Sequence, residues 1–589
     1  MLRWWNLLSA QAGGKRDLVD APAAEPGLWG ALDGGWNARD LEYRPGESRL
    51  LHYTTLHLQP WRPTPEQYSY HPHPLGALWL QLEREADAQR YQPFTRERPS
   101  GAYRRLLAER RAPLLPAAPA ETVAVLGYLE LLPPVDRAWF LEGLFAAARR
   151  SVRLRVDLRQ VAAPADRSAP PRLTDAAQWW REGLAEAAER RPGVAWELEL
   201  IEPGGSRCFE YRPPQGAPRV WVLLGRHEGD NRQLLALAEA LGSPFETRRL
   251  VFKRRRLILP MWLQGASLAR LDRRRSEELS PPWPDLVLAC GRYSAPVARW
   301  IRRRSGGMAR LVQLGRPQAP LDAFDLVVTT PQYGLPGRAN VLHNVLPLNR
   351  TLPGWSERAA AAWLSRLEPL PRPWIGLLVG GNSSSSELNE AAARRLREQA
   401  EALAKTRGGS LLVATSPRTP AAAADILLAQ SAIPGARYRW RAHDPENPYP
   451  LFLARADELI VTGDSASMLA EACASGRPVH YVALPWPKKR RRVSELALRL
   501  LARRRNRLGE RGTPKQQDRV ERWLDKLLAA GVLRPRRDLG ALHAALRWAG
   551  LAQPLGEPSS SMQRVASEDL DRTVAAVRRL LSSGRAAAP

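Results

Sequence analysis

Short apolar runs of strand length alternate with segments of helix length from residue 219 to residue 487. RVWVLLG, LVLACG and FDLVVTT are buried-strand runs in the first half, and PWIGLLVGG, SLLVATS and DELIVTG follow in the second. Because consecutive parallel strands need helical crossovers, this order predicts parallel sheets with helices on both faces. Ligands of such sheets bind beyond the carboxyl ends of the strands. The pattern predicts one Rossmann-like unit at 216–370 and a second at 371–487.

The predicted fold class is α/β, with two Rossmann-like parallel-sheet units in the GT-B arrangement, whose active crevice lies between the units. Residues 116–215 show the strand–helix pattern only in part and predict an incomplete α/β region, and residues 1–115 are rich in Trp, His and Pro. Residues 488–589 predict basic C-terminal helices. We expect one apolar stripe of this tail to pack back on the first unit, and its members are Leu570, Val574, Val577 and Leu581.

The formal charge of +28 indicates phosphate-rich partners, but the kind of charge weakens that inference. All but seven of the 88 basic residues are arginine, a bias typical of a GC-rich bacterial coding sequence. We therefore do not expect nucleic acid as a partner. Three scattered cysteines and the lack of an 18-residue apolar run predict a cytoplasmic protein without a membrane span. Peripheral contact with the inner face of a membrane through the basic cluster Lys488–Arg492 stays open.

The front end resembles two enzyme classes in part. LLHYTTLHLQPW at residues 50–61 is similar to the closing segment of glycogenin-type (family 8) glycosyltransferases, and residues 121–201 resemble the distal half of a Rossmann-type methyltransferase. Neither an Asp-x-Asp metal site nor a glycine-rich G-x-G loop precedes these segments, so we expect a scaffold. His71-Pro72-His73 is interpreted as a turn, because its prolines prevent helical ligand spacing, and no metal site is predicted.

Longer motifs carry a closer resemblance over roughly residues 219–555. PPWPDLVLACGRYSAPVARWIRRRSGG, LLVGGNSSS and ENPYPLFLARADELIVTGDSASMLAEACASGRPVHYV resemble the mitochondrial-fission ELM ("elongated mitochondria") family. The resemblance implies a GT-B-like fold, bacterial relatives of unsettled activity, and plant members that recruit a dynamin-type fission protein at the mitochondrial surface. The family's Ser-Arg-Arg-Thr loop stands here as Ser416-Pro417-Arg418-Thr419, which removes one candidate phosphate-binding arginine and stiffens the turn.

The stretch Val461–Val482 has the layout of a nucleotide-sugar crevice: strand, polar turn, helix start, glycine stop and strand. Asp464 is predicted to be the N-cap of the helix, with its carboxylate accepting the first free N–H groups. A phosphate fits at the turn beside Ser465 and Ser467, and ribose hydroxyls fit near Glu471. The alternative is an ordinary strand–helix–strand unit with a capped helix and a solvated glutamate.

Three further turns complete the predicted donor side, and their candidate residues are Gly380, Gly381, Asn382 and Ser383; Ser416, Arg418 and Thr419; and Asn447 and Tyr449. The first turn allows close backbone approach to a diphosphate, the second offers an arginine fork to a phosphate, and the third contacts a base. The respective alternatives are a flexible serine-rich loop, a surface turn, and a pair that only fixes its own loop.

The predicted acceptor side follows two strands of the first unit, and its candidates are Gly225, His227, Gly229, Asp230, Asn231, Gly291, Arg292 and Ser294. His227 and Asp230 are the catalytic candidates, because a histidine or a carboxylate can act as general base near neutral pH. A solvated turn residue is the alternative for His227. Gly291 and Arg292 are expected to bind an acceptor or a donor phosphate.

No metal or other cofactor is expected, since the nucleotide-sugar is a substrate and GT-B enzymes neutralise the leaving diphosphate with helix dipoles and basic side chains. Two functions remain open from the sequence. The first is a metal-independent glycosyltransferase that uses a nucleotide-activated sugar on an unknown acceptor, linked to the cell envelope near the membrane. The second is a non-catalytic adaptor that keeps the fold and recruits a protein partner at a membrane surface.

Overall fold

The computed structural model of the chain describes residues 36, 38–39, 42–44, 46–53, 68–69, 75–89, 91–160, 173–213, 216–253, 265–349, 357–487, 496, 500–501, 515–516, 518–533, 535–557, 569–583 and 585–586. Three features singled out above lie outside these residues: most of the LLHYTTLHLQPW segment, the His71-Pro72-His73 piece and the basic cluster Lys488–Arg492. Peripheral membrane contact through that cluster stays a prediction. Within the described part of the chain, no helix combines the length and apolarity that a membrane crossing requires.

The N-terminal region forms a sheet covered by helices. Its elements are β1 (Ala38–Arg39), β2 (Leu51–His52), β3 (Tyr68–Ser69), α1 (Gly76–Ala88), α2 (Gly101–Ala108), β4 (Ala120–Val125), α3 (Arg137–Ala147), β5 (Ala148–Asp157), α4 (Leu173–Arg190), β6 (Ala195–Glu202) and β7 (Gly205–Tyr211). Strands β4, β5 and β6 are parallel, and β7 returns antiparallel to β6. Phe140, Leu184 and Trp196 lie in the core of this region. Every second residue of β5 from Val152 onward, and of β6 from Trp196 to Leu200, is buried, as expected for strands with one covered face.

The first Rossmann-like unit is a six-stranded parallel sheet. Its elements are β8 (Val220–Leu224), α5 (Glu228–Leu241), β9 (Phe245–Arg249), β10 (Leu286–Cys290), α6 (Gly291–Arg304), β11 (Arg310–Leu314), β12 (Leu326–Thr329) and β13 (Val341–His343). The strand order is β13-β12-β11-β10-β8-β9. Trp221 and Ile301 belong to the core on the α6 face, and Val222 and Leu234 to the core on the α5 face. Helices on both faces explain why the central strands are apolar along their whole length.

The second Rossmann-like unit repeats this construction with another strand order. Its elements are α7 (Glu357–Leu367), β14 (Trp374–Leu378), α8 (Glu390–Arg407), β15 (Ser410–Ala414), α9 (Ala421–Leu428), β16 (Gly435–Tyr438), α10 (Tyr449–Arg455), β17 (Glu458–Thr462), α11 (Ala466–Ala474) and β18 (Val479–Val482). The strands run parallel in the order β16-β15-β14-β17-β18. Phe452 lies in the core of one face and Leu396 in the core of the other.

The C-terminal segment returns to all three parts of the chain. Its elements are β19 (Lys515–Gln516), α12 (Arg519–Ala529), α13 (Leu539–Trp548), β20 (Gln553–Pro554), α14 (Asp569–Ser582) and β21 (Arg585–Ala586). β20 extends the second sheet beside β18, and β21 pairs with β7 of the N-terminal sheet. α14 packs against both α4 and α5, so it joins the N-terminal region to the first unit.

Two predictions about architecture are confirmed. The chain is α/β, with two Rossmann-like units in a GT-B-like arrangement, an α/β region before them and C-terminal helices after them. The apolar stripe of the tail also packs on the first unit: Leu570, Val574 and Val577 are buried in its core, and Leu581 is partly buried beside them. The antiparallel strand β7 was not expected from the sequence, because the alternation up to residue 202 indicated only parallel pairing.

The buried carboxylate of Glu458, at the start of β17, is expected to make the stability of the second unit depend on pH. His480 Nε2 donates to Glu458 Oε1 at 2.6 Å, and Arg407 lies 3.5 Å from the same carboxylate. The hydrogen bond from His480 is the main reason why the pKa of Glu458 is lowered from 4.5. A carboxylate with a lowered folded-state pKa stabilises the fold above its unfolded-state pKa, and this contribution is lost as the pH falls.

We expect Glu458→Gln to reduce the free energy of unfolding by about 1.5–3 kcal/mol at pH 7, because the hydrogen bond loses its charge. The difference between the variant and the natural chain should shrink as the pH falls below 4.5. Urea unfolding at pH 7 and pH 4 measures both effects. Glu390→Gln, in an exposed pair with Arg394, is the control, and an equal pH dependence in both variants would contradict the assignment.

Candidate functional site

The switch point of the first sheet brings two predicted turns together. The strand order reverses between β8 and β10, so the loops after these neighbouring strands open in the same place. Asn231 holds the first turn: its Oδ1 accepts from the backbone N–H of Gly225 at 2.8 Å, and its Nδ2 donates to the carbonyl of Gly225 at 3.1 Å. At the second turn, Gly291 has a φ of +72°, the left-handed region that favours glycine.

The second sheet has its switch point between β14 and β17. The loop after β14 begins at Val379, and the loop after β17 carries Asp464 and Ser465. His543 of α13 supports the second loop from below, since its Nε2 donates to the carbonyl of Gly463 at 2.8 Å while its ring stacks on Tyr481. A Cβ at residue 463 would overlap that imidazole, so this turn requires glycine.

The two switch points open on one cavity of about 1330 Å³ between the units. The sequence-predicted residues that line it are Gly225, His227, Gly229, Asp230, Asn231, Gly291, Arg292, Ser294, Asn382, Ser383, Ser416, Arg418, Asn447, Tyr449, Asp464, Ser465, Ser467 and Glu471. Gly380, Gly381 and Thr419 do not line it. The structure therefore brings most of the predicted positions together, and their role in binding stays a prediction.

Among the described helices of eight or more residues, three begin at this cavity without a side-chain cap. The N-caps of α5, α6 and α11 are His227, Cys290 and Ser465, and none of these side chains accepts a bond from its helix. By contrast, Asn389 caps α8 and Asp518 caps α12. Uncapped helix starts present free N–H groups and a partial positive charge to a ligand. The arrangement suits an anion.

Asp464 does not cap α11, which corrects the prediction. Its carboxylate is fully buried and lies beside the loop after β14, where Oδ2 accepts from the backbone N–H of Gly381 at 3.1 Å. Arg418 Nη2 pairs with the same oxygen at 2.9 Å. Burial raises the pKa of Asp464, and Arg418 acts in the opposite direction. Asp464 thus holds together the loops that follow β14, β15 and β17.

Gly380 and Gly381 serve loop packing, and the structure places neither at the cavity surface where the sequence predicted a diphosphate contact. A Cβ at residue 381 would overlap the carbonyl of Arg418, and a Cβ at residue 380 would overlap the carboxylate of Asp464. Thr419 also bonds to the neighbouring loop and not to the cavity: its Oγ1 donates to the carbonyl of Gly380 at 2.6 Å. Ser416 Oγ donates to the same carbonyl at 2.8 Å. The loops after β14 and β15 are therefore bonded to each other.

The serine-rich turn after Gly381 is closed by its own hydrogen bonds. Asn382 Oδ1 accepts from the backbone N–H of Leu388 at 2.8 Å, and the hydroxyls of Ser383 and Ser386 lie 2.6 Å apart. Asn382 is exposed toward the cavity and Ser383 is half-buried. These bonds close the turn on itself, and both the diphosphate contact and the alternative of a flexible loop stay predictions.

Glu471 links the two units across the cavity. Its Oε2 accepts from the hydroxyl of Tyr449, and its Oε1 lies 3.3 Å from Arg232 Nη1 of α5. Burial raises the pKa of the Glu471 carboxyl, while the bonds from Tyr449 and Arg232 oppose that rise. Asn447 fixes the start of α10, because its Oδ1 accepts from the backbone N–H of Tyr449 at 3.0 Å.

The units lie close together where α5 faces α11. A Cβ at Gly229 would lie 3.2 Å from Ser467 Oγ, so a larger side chain would press on the opposite unit. Ser465 is buried at the start of α11, and Ser467, two residues later, is half-buried. Glycine at residue 229 therefore allows the two helix starts to lie side by side at the cavity.

Asp230 belongs to a cluster of groups on the first-unit side. The thiol of Cys290 donates to its carboxylate, and burial raises the pKa of Asp230 above its ordinary value. Tyr333 lies nearby, and burial raises its pKa to about 12. The charge of Arg537 lowers the pKa of both Asp230 and Tyr333. His227, at the start of the same helix as Asp230, is exposed.

Comparison with known proteins identifies the family. The model described as "Mitochondrial fission ELM1" matches residues 228–531, which is more than half of the chain. The chain belongs to this family. The Arabidopsis thaliana "Mitochondrial fission protein ELM1" is 27% identical over 295 residues, which are 45% of this chain and 66% of the plant protein. An uncharacterised Rickettsia prowazekii protein is 23% identical over 293 residues, 44% of this chain and 82% of its own.

Solved structures also match this ELM1-family chain at low similarity. S. aureus MnaA, solved with UDP, is 12% identical with a TM-score of 0.28, over 58% of this chain and 99% of its own. E. coli ADP-heptose LPS heptosyltransferase II is 14% identical with a TM-score of 0.27, over 45% of this chain and 84% of its own. The chain spans just under two thirds of the length of the plant relative.

Several lining residues of this ELM1-family chain were missed in the sequence, among them Cys290, Arg316, Tyr333 and Arg537. Cys290 ends strand β10, and Arg316 and Tyr333 follow β11 and β12, so strand-end position was an available signal for these three. No sequence pattern pointed to Arg537, because it lies between α12 and α13. The tertiary packing of the C-terminal segment brings it to the cavity. Among the described residues, no group of three or more His, Cys, Asp or Glu side chains is arranged to hold a metal ion.

Proposed function

We propose that this ELM1-family chain is a metal-independent, glycosyltransferase-like enzyme that binds a nucleotide-activated sugar between its two units. One observation carries the proposal: the switch-point loops of both sheets, with three uncapped helix starts, open on one cavity. A nucleotide diphosphate needs neutralising donors, and free helix N–H groups supply them. The volume of about 1330 Å³ has room for a donor and an acceptor together.

The donor is assigned to the second-unit wall. Its diphosphate would bind at the start of α11, beside Ser465 and Ser467, where the N-cap side chain makes no bond to the helix. The ribose would lie toward Glu471, whose carboxylate is already oriented by Tyr449. The charge that develops on the leaving diphosphate would be stabilised by the α11 start and by the arginines of the cavity.

Asp230 is the proposed general base. Burial raises its pKa, which makes a carboxylate a stronger base, and the residue lies on the wall opposite α11. In the proposed reaction the acceptor hydroxyl gives its proton to Asp230, and its oxygen forms a bond to the anomeric carbon of the sugar. The bond from that carbon to the diphosphate breaks, and the nucleoside diphosphate leaves with the electron pair.

A charge placed at residue 467 tests donor binding. We expect the full chain to bind one class among UDP-, GDP- and ADP-sugars saturably, and Ser467→Asp to weaken that binding at least about 10-fold, or about 1.4 kcal/mol. Asp is favourable in the first turn of a helix, so the variant should keep its thermal stability. Calorimetric titration and thermal unfolding measure the two effects.

Ser467→Asn is the matched control, because it has nearly the same shape as the Asp variant without its charge. We expect it to bind within about 3-fold of the natural chain. Equal binding by both variants would show that the diphosphate is not at α11. Absence of binding by the natural chain to every nucleotide-sugar of the panel would contradict the proposed function.

A second function, a non-catalytic adaptor, is favoured by one observation. The charged side chains predicted to contact the donor are already bonded within the protein: Arg418 with Asp464, and Glu471 with Tyr449 and Arg232. Such pairs leave fewer free groups for a ligand, and the contact of Glu471 with Arg232 joins the two units. A folded chain that binds no nucleotide-sugar would support this alternative, and affinity purification of partners would be the next experiment.

A further inference from the structure

The two walls of the cavity carry different charges. On the second-unit wall, Arg418 is the one arginine among the described lining residues, and it is paired with Asp464. Glu471 adds a carboxylate to this wall. The first-unit wall carries Arg226, Arg292 and Arg316, and Arg537 joins it from the C-terminal segment. Glu228 and Asp230 are the carboxylates on this side, and Glu228 lies 3.6 Å from Arg232. The surplus of positive charge therefore lies opposite the proposed donor wall.

Arg226 and Arg292 have guanidinium groups available to a ligand. Both residues are exposed, and neither forms an ion pair with a carboxylate among the described residues. The contacts of the Arg292 guanidinium are with its neighbour Tyr293, by a 2.9 Å hydrogen bond to the hydroxyl and by stacking at 4.7 Å from the ring centroid. A guanidinium held flat on a ring keeps its outer N–H groups free for an anion.

Arg537 is held at the cavity by the backbone around it. The N–H of Asp538 donates to the carbonyl of Gln332 at 2.8 Å, and Arg316 Nη2 donates to the carbonyl of Pro535 at 2.6 Å. The Arg537 side chain is half-buried and its charge acts on Asp230 and Tyr333. A cation fixed in this way on a rigid segment loses little entropy when it binds an anion.

Gln332 supplies a second, independent sign of a ligand on this wall. Gln332 belongs to the lining of the cavity and is only 2% exposed, yet its Oε1 has no hydrogen-bond partner among the residues that the structure describes. A buried amide oxygen without a partner is costly, and a ligand hydroxyl would satisfy it. The wall thus offers arginines to an anion and an amide to a neighbouring hydroxyl.

We propose that this arginine wall, defined by Arg226, Arg292 and Arg537 with Gln332 beside them, binds a phosphorylated, hydroxyl-bearing acceptor such as a sugar or polyol phosphate. The assignment of this ligand as an acceptor rests on the proposed function, whereas the phosphate subsite itself does not. Arginine forks match the oxygens of a phosphoryl group, and the adjacent hydroxyl would reach Gln332. The acceptor phosphate and the donor diphosphate then occupy opposite walls.

Glycerol 3-phosphate, with glycerol and inorganic phosphate for comparison, is the probe that tests the subsite. We expect the full chain to bind glycerol 3-phosphate with a dissociation constant of about 1 mM at low salt, phosphate more weakly, and glycerol not at all. Arg292→Gln and Arg537→Gln should each weaken binding about 10-fold or more. Arg304→Gln is the matched control, since Arg304 stacks on neighbouring Trp300 at the far end of the same helix. We expect it to bind like the natural chain.

Competition separates this subsite from the donor site. Glycerol 3-phosphate should still bind when the nucleotide-sugar found in the donor screen is present at saturation. Mutual exclusion would overturn the proposal, because the arginines would then serve the donor diphosphate. Failure to bind glycerol 3-phosphate, or equal losses in Arg304→Gln, would also overturn it. If no nucleotide-sugar binds but the probe does, the subsite stands and the proposed transferase function fails.

Discussion

Replacing Asp464 by alanine is expected to destabilise the second unit by about 3–5 kcal/mol, the largest effect of any polar substitution at this site. The carboxylate is fully buried, and it bonds to Gly381 and pairs with Arg418. Its removal leaves a buried N–H without its partner and separates three loops that meet at the cavity. Hydrogen exchange of β14 and β17 measures the local free energy of opening, and the same variant should lose binding of any donor.

Asp464→Asn separates the effect of charge from that of shape. Burial raises the pKa of Asp464 above its ordinary value, so burying the charged carboxylate costs free energy. The stability that the protonated form contributes at low pH is lost as the pH rises through the folded-state pKa. We therefore expect the neutral amide to cost less than alanine at pH 7. Asp425→Ala, in an exposed pair with Arg439, is the control and should change stability by less than about 1 kcal/mol. Equal losses in all three variants would contradict the role of Asp464.

Gly381→Val is expected to lower the free energy of unfolding by about 3 kcal/mol and to disrupt the loop 416–419. The added Cβ would overlap the carbonyl oxygen of Arg418, a backbone atom that cannot move aside as the end of a side chain can. The hydrogen bond from the N–H of Asn382 to the same carbonyl, 3.0 Å in the natural chain, would be broken as the loops separate. Thermal unfolding and hydrogen exchange of residues 410–420 measure the result.

Gly193→Ala is the matched control for this substitution. A Cβ at residue 193 meets no atom within 4 Å, and its φ is not in the left-handed region. We expect the free energy of unfolding to change by less than about 1 kcal/mol. The change can have either sign, because Gly→Ala at a compatible site also restricts the unfolded chain. If Gly381→Val unfolds at the same temperature as the natural chain, the two loops are not packed as described.

The fold class was accessible from the sequence because strands and helices leave local patterns. VWVLL, LVLAC and WIGLL are apolar along their whole length, and ELIVT is apolar between Glu458 and Thr462, which is the pattern of strands covered on both faces. The strand orders were not accessible. The first sheet reverses between β8 and β10 and the second between β14 and β17, and which strands become neighbours depends on crossovers that apolar patterns do not encode.

The candidate site was partly accessible for the same reason. Turns that follow parallel strands face the ligand side, and this placed Asn231, Arg292 and Ser467 at the cavity before their contacts were known. Asp464 was predicted as an N-cap, because an acidic residue before a helix usually caps it. In the structure, the carboxylate instead pairs with Arg418 and accepts from the N–H of Gly381, and both residues are distant from Asp464 in the sequence.

The sequence by itself determined the local choices of this protein: where strands and helices form, where turns need glycine, and which family the chain resembles. The tertiary structure decided which polar groups are partners. Arg232 meets Glu471 and Arg537 acts on Asp230 only because two sheets and the C-terminal segment converge on one cavity. The physical reason is that hydrophobic periodicity is a property of near neighbours, whereas the pairing of charges depends on distances that arise only after the chain has folded.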